Sequence, residues 1–225
     1  MSPESTVTYY QRIVHRHQAE FRNHHYPRIV IASVSFGQYV TWQHEGEWTM
    51  IARGLEKEFQ ALGSAGADFA LLATNTMHKV LPRVYSPIPV FSVLDAIGRH
   101  AKEKGIRTIG LTGTLFTMSD GFYTEGLESR GLSVVVPNVS HQQTIHNIIY
   151  DELIFGRANT SSANKFIKIA QGLLARGAEA ILLGCTELEL LVRERPAELR
   201  IVDSTAVHAE MAWEISIGKS HLSYN

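Results

Sequence analysis

Short apolar runs alternate along the chain with longer segments in which apolar residues recur at helical spacing. The runs lie at 28–33, 69–73, 90–93, 108–112, 133–136, 180–184 and around Ile201, each bounded by turn-forming residues. Helical periodicity covers 6–22, 49–62, 96–104, 120–130, 144–155, 164–176 and 205–217. A run of four to eight apolar residues between turns reads as a buried strand, and recurrence every three or four residues reads as an amphipathic helix. Strand–helix–strand alternation predicts an α/β protein with parallel sheets and helices on both faces. In such folds ligands sit beyond the carboxyl ends of the strands.

The pattern repeats itself. Residues 66–78 read Gly-Ala-Asp-Phe-Ala-Leu-Leu-Ala-Thr-Asn-Thr-Met-His, and residues 177–188 read Gly-Ala-Glu-Ala-Ile-Leu-Leu-Gly-Cys-Thr-Glu-Leu. Each begins with Gly-Ala-acid after a helix, runs through a strand pattern and reaches a nucleophile-type residue eight positions after its glycine. Thr74 therefore corresponds to Cys185, and Asn75 to Thr186. The echo predicts two pseudo-symmetric, doubly wound halves: 1–95 plus 203–225, and 96–202. A pseudo-twofold would point Thr74 and Cys185 at each other across a cleft, where the active site is expected. The same residues would also fit two ordinary strand–turn–helix units, since Thr and Asn are common helix caps.

Composition narrows the chemistry. With 21 basic and 22 acidic residues the net charge is −1, which gives no electrostatic footprint for nucleic acid or an anionic membrane. No apolar run approaches the roughly 20 residues of a membrane span, and no signal peptide is visible, so a cytoplasmic protein is expected. A single cysteine excludes an intrachain disulfide. There are eleven histidines, but His15, His17, His24 and His25 have no carboxylate or thiol to complete a ligand set, so no metal is expected. No Gly-x-Gly-x-x-Gly is present for a dinucleotide.

Cys185 carries the chemistry. A buried free cysteine is otherwise a small hydrophobe. A thiol at a strand end just before a helix meets the positive end of the helix dipole, so its pKa is expected below the usual value of about 8.5. The same backbone amides attract a carboxylate. A thiolate there could take a proton from the carbon beside that carboxylate, and a second residue on the other face could return one. His78, one turn after Thr74, and Glu187, just after the Cys-Thr pair, are candidates to orient the loop and tune the thiol.

Seven segments in order resemble the aspartate/glutamate racemase family over essentially the whole chain. They are Met1-Ser2-Pro3-Glu4-Ser5-Thr6 with Tyr9-Tyr10; Ser33-Val34-Ser35-Phe36 with Gln43-His44-Glu45-Gly46-Glu47-Trp48; Thr74-Asn75-Thr76-Met77-His78; Gly113-Thr114 with Thr117-Met118 and Phe122-Tyr123; Tyr150-Asp151-Glu152-Leu153; Gly184-Cys185-Thr186-Glu187; and Asp203-Ser204-Thr205 with His208-Ala209-Glu210. The resemblance implies a racemase of acidic amino acids that needs neither pyridoxal phosphate nor metal, and a homodimer. It implies Cys185 and Thr74 as catalytic residues, and a substrate lining of Met1, Ser5, Gln43, Asn75, Thr76, Thr114, Thr117 and Thr186. Where the family commonly has a first cysteine, this chain has Thr74, a poor base at neutral pH, so proton abstraction by Cys185 is expected to favour one direction, from the L form. Arg157 stands near a lysine that some members use, and is either its substitute or a surface residue. Both the resemblance and the echo imply a strand ahead of Met1; a start set too late or a truncated chain would each account for its absence. Alternatives are a single-cysteine relative such as an arylmalonate decarboxylase, a hydantoin racemase or maleate isomerase, and a carboxylate-binding protein without turnover.

Overall fold

The computed structural model describes residues 1–193 and 198–219. They form two compact units: Met1–Val93 with the segment from His208 onward, and Leu94–Val207. All strand pairings are parallel, so the chain is an α/β protein of the expected class. Among the described residues no helix is long and apolar enough to cross a membrane.

The first unit opens with α1 (Pro3–Phe21), followed by α2 (Phe36–His44) and α3 (Trp48–Ser64). Pro3 suits the first turn of α1 because that N–H needs no helical partner, and the Ser2 hydroxyl accepts from the Ser5 N–H. Residues Ser5, Tyr9, Ile13 and His17 form the buried stripe of α1, spaced four apart. The α3 stripe is Ile51, Ala52, Leu55 and Phe59. Two short strands, β1 (Ala70–Leu71) and β2 (Val90–Phe91), pair in register. The strand predicted at 28–33 belongs to no ladder. Its Ile29, Ile31 and Ala32 instead border a cavity of about 450 Å³ shared with Phe59, Leu71 and Ala73, and among the described residues its backbone makes no backbone hydrogen bond. An apolar run alone is not a strand; it needs a neighbour to take its hydrogen bonds.

The second unit holds a four-stranded sheet. Its elements are α4 (Val93–Glu103, which starts at the unit boundary), β3 (Thr108–Thr112), α5 (Leu115–Ser119), α6 (Phe122–Glu128), β4 (Ser133–Val135), α7 (Val139–Asp151), α8 (Thr160–Ala175), β5 (Ala180–Leu183), α9 (Glu189–Val192), β6 (Ile201–Asp203) and α10 (Ser204–Ser216), which leads back into the first unit. The strand order is β4-β3-β5-β6, with β3 and β5 central. Central strands are buried on both faces, hence the unbroken apolar run of β5, whose four residues are all buried. The predicted helix at 120–130 is α6, which starts at Phe122 after Gly121 at φ +95°, while α5 before it had no prediction; that at 144–155 ends at Asp151 before a 3₁₀ turn, Leu153–Phe155. The helix over Phe36–His44 had no prediction, because Gly37 and mixed polarity blur its stripe.

The internal echo is built into the backbone. Gly66 and Gly177 both take positive φ, at +82° and +98°, and end α3 and α8. The following residues, Ala67 and Ala178, each donate back across the helix end, to Leu62 and Leu173 at 3.1 Å. A strand follows in each unit, then a 3₁₀ turn: Thr76–Lys79 after Thr74, and Thr186–Leu188 after Cys185.

The ends of β3 and β5 approach closely. The Gly184 N–H donates to the Thr112 carbonyl at 2.7 Å, and a Cβ on Gly184 would lie 2.7 Å from that same oxygen. Gly184→Ala is therefore expected to lower stability by about 2–3 kcal/mol, read by urea unfolding. Gly172, exposed on α8 with nothing within 4 Å of a Cβ, is the contrast: Gly172→Ala should raise stability by up to about 1 kcal/mol.

Candidate active site

Each unit presents one chemical loop. In the first, Thr74 is half-buried after β1, and its N–H donates to the Leu72 carbonyl at 2.8 Å. The loop is held from below by His78, whose Nδ1 lies 2.8 Å from the Thr74 carbonyl and whose Nε2 lies 3.0 Å from the Val93 N–H. Only one tautomer satisfies both: Nδ1–H donates to Thr74 and Nε2 accepts from Val93. The same logic applies to His208. Its Nε2–H donates to the Phe91 carbonyl at 2.9 Å, and its Nδ1 accepts from the Tyr9 hydroxyl at 2.8 Å. Burial, with His78 nearby, pushes the His208 pKa down to about 3. The two rings, 6.0 Å apart, tie α1, β2 and α10 to the Thr74 loop with neutral groups.

Of the other residues expected here, Met1 donates through its amino group to the Ala73 carbonyl, next to Thr74. Asn75 is buried and Thr76 half-buried in the turn. Ser5 is buried in α1, its hydroxyl 2.9 Å from that of Ser2. Gln43 lies half-buried in α2, and among the described residues its side chain makes no hydrogen bond.

In the second unit the register pairs Thr112 with Leu183, so the loops after β3 and β5 leave the sheet side by side at its carboxyl end. Thr114 caps α5 by accepting from the Thr117 N–H at 3.3 Å, and the two hydroxyls lie 3.1 Å apart. This hydroxyl pair at i and i+3 reproduces Ser2 and Ser5 at the start of α1. Cys185 continues β5 in extended conformation, at φ −146° and ψ 133°. The turn that follows folds Glu187 back over it. One Glu187 oxygen, Oε2, accepts from the Cys185 thiol at 3.0 Å and from the Thr186 hydroxyl at 2.6 Å. Tyr150 from α7 completes the surroundings; its hydroxyl is held protonated by burial and by Cys185 and Glu187. His146, its ring tilted against that of Tyr150 with centroids 4.6 Å apart, accepts at Nδ1 from the Leu115 N–H at 3.3 Å. Sequence reading missed His146; its i, i+4 spacing to Tyr150 on a helix facing the loop was the available signal.

The thiol departs from expectation. Its pKa is raised well above the ordinary value, first by burial and then by Glu187; the hydrogen bonds with the Glu187 and Thr186 backbones pull the other way and lose. The residue is half-buried. The expected helix dipole is weak here, because only a three-residue 3₁₀ turn and the four-residue α9 follow. Arg157 is exposed and stacks 5.9 Å over Phe155, a surface position. Among the described residues no cluster of three His, Cys, Asp or Glu side chains is arranged to hold a metal ion.

A thiol and a set of hydroxyl donors thus lie together at the carboxyl end of a parallel sheet. Comparison with known proteins gives the chain its family. Residues 1–212 match the model of the Asp/Glu/Hydantoin racemase family, and the chain belongs to it. A Yersinia pestis protein described as a candidate Asp/Glu racemase is 34% identical, with 96% of each chain covered and a TM-score of 0.90. An aspartate racemase homologue from Pyrococcus horikoshii OT3 is 31% identical, with 96% of this chain and 95% of that one covered and a TM-score of 0.85. Glutamate racemase of Limosilactobacillus reuteri is 26% identical over 163 residues, and the match spans 59% of its length.

The neutral His208 makes stability pH-dependent. Unfolded, this ring takes a proton below about 6.5, while the folded state resists protonation down to about 3. Stability is therefore full above pH 6.5 and is lost as pH falls, by about 1.4 kcal/mol per unit for this one group. Urea unfolding between pH 7.5 and 5 should show a loss of about 2 kcal/mol from this source, and His208→Gln should flatten that slope.

Proposed function

We propose that the chain is a racemase of acidic amino acids in which Cys185 takes the α-proton. The observation that carries this is the placement of Cys185 at the end of β5, beside the Gly113–Thr114 loop and its hydroxyls, in a chain of the Asp/Glu/Hydantoin racemase family. Thr114, Thr117 and Thr186 supply neutral donors for a carboxylate. The thiolate removes the α-proton, the C–H electron pair stays on Cα as a planar carbanion delocalised into the carboxylate, and the other face is reprotonated from the Thr74 side. Asn75 and Thr76, with Met1, Ser5 and Gln43, belong to that second half of the lining. A threonine hydroxyl is too weak an acid and base to share the work equally with a thiol, so abstraction runs faster from the enantiomer that faces Cys185, assigned as the L form. The reading includes no pyridoxal phosphate and no metal, a homodimer and a cytoplasmic setting.

A second reading is supported by the single cysteine. One thiol is enough for decarboxylation of an activated malonate followed by protonation from one face.

The test follows α-deuterium incorporation in heavy water from L- and D-aspartate and from L- and D-glutamate, with an arylmalonate in parallel. The L forms are expected to exchange at least tenfold faster than the D forms. Cys185→Ser should slow exchange by about 100- to 10,000-fold, the usual worth of a positioned acid–base group. Equal exchange from both enantiomers removes the directional assignment. Carbon dioxide release from the malonate without exchange selects the second reading.

A further inference from the structure

The Glu187 carboxylate is half-buried and, among the described residues, pairs with no lysine, arginine or histidine. Its Oε2 takes two hydrogen bonds, from the Cys185 thiol and the Thr186 hydroxyl. Partly burying an anion without a counter-charge is costly. It is also the wrong neighbour for a thiol that must ionise, since a like charge 3.0 Å away opposes a thiolate. Only the Glu187 and Thr186 backbone hydrogen bonds favour the thiolate, and none of the groups that act on the thiol carries a positive charge.

We propose that Glu187 binds the ammonium group of a free amino-acid substrate, and that this bound cation is what permits Cys185 to ionise. The inference rests on the racemase reading and names the substrate feature that the site selects. The geometry follows from the substrate itself. An amino nitrogen lies only about 1.5 Å from the Cα whose proton is removed. With the Cys185 sulfur at that proton, an ammonium on the Glu187 side of Cα can reach the carboxylate that already contacts the same sulfur. An opposite charge within about 4–6 Å favours ionisation by one to three pH units.

The steps balance. Ammonium binding offsets the charge of Glu187. The S–H bond then breaks, its electron pair stays on sulfur and the proton passes to water. The thiolate takes the α-proton, re-forming S–H, and the C–H pair remains on Cα. Without substrate the site keeps a protonated, unreactive thiol. Hydantoins and malonates have no ammonium, so Glu187 selects amino acids within a family whose description also covers hydantoin racemases.

Because the chain has one cysteine, labelling with β-¹³C-cysteine gives a single NMR resonance whose shift reports ionisation of Cys185. The full chain is titrated alone, with saturating L-aspartate and with succinate, which has both carboxylates but no ammonium. Alone, the midpoint is expected above 9. L-aspartate should lower it by at least one unit, a tenfold change in the ionisation constant, and succinate should not lower it. Glu187→Gln should lower the midpoint of the ligand-free chain and abolish the response to aspartate, while Glu187→Asp should keep part of that response. Equal effects of aspartate and succinate, no effect of aspartate, or an unchanged aspartate response in Glu187→Gln would overturn the proposal. Deuterium exchange separates the two claims: exchange without the ammonium-dependent shift counts against this inference alone, and the shift without exchange counts against the racemase reading alone.

Discussion

The chemistry of the second unit depends on the contact between the ends of β3 and β5. The Gly184 N–H sits 2.7 Å from the Thr112 carbonyl, with no room for a side chain between them. Two further hydroxyls lock the same region. Thr112 donates to the Leu182 carbonyl and Ser204 to the Leu183 carbonyl, each at 2.7 Å and each from a side chain with no solvent exposure. Buried polar groups are tolerable only when paired in this way. Because the strand ends cannot separate, Cys185 and the Thr114 loop emerge together, and the positions of thiol and hydroxyls are set by backbone rather than by flexible side chains.

The two loops achieve rigidity by different electrostatics. Around Thr74 the fixing groups are imidazoles held as neutral tautomers, so the loop is braced without introducing charge. Around Cys185 the fixing group is a carboxylate, and it stabilises the thiol form. In the proposed reaction the neutral brace would suit the residue on the reprotonating side, and the carboxylate beside the thiol would suit a base active only when its charge is compensated. The hydroxyl pairs Ser2 with Ser5 and Thr114 with Thr117, at the starts of α1 and α5, complete the parallel between the units. Local geometry is repeated even where side-chain identity has diverged.

Most of the regular structure was legible in the residue pattern. Strand Thr108–Thr112 and helices α1, α3, α8 and α10 fall within a few residues of expectation, because a long periodic stripe leaves little freedom. The Gly-Ala-acid echo was legible for a similar reason: only glycine takes positive φ cheaply at a helix end, and Gly66 and Gly177 both do so. Misreadings came where local signals were weak or partners were needed. The five-residue α5 had no prediction, because so short a helix shows too little of a stripe, and Gly121 at φ +95° precedes the start of α6. The run at 28–33 has strand-like residues, but a strand exists only through its neighbours' hydrogen bonds.

By itself the sequence determined the α/β class, the equivalence of Thr74 and Cys185, and membership of a racemase-like pattern, because these reside in spacing and residue type. Tertiary structure alone decided the state of the thiol. Proton affinity depends on how deeply the sulfur is buried and on what stands within a few ångströms through space. The residue pattern placed Cys185 before a helix and pointed to easy ionisation; folding replaced that helix with a short turn and laid Glu187 against the sulfur, which reversed the direction.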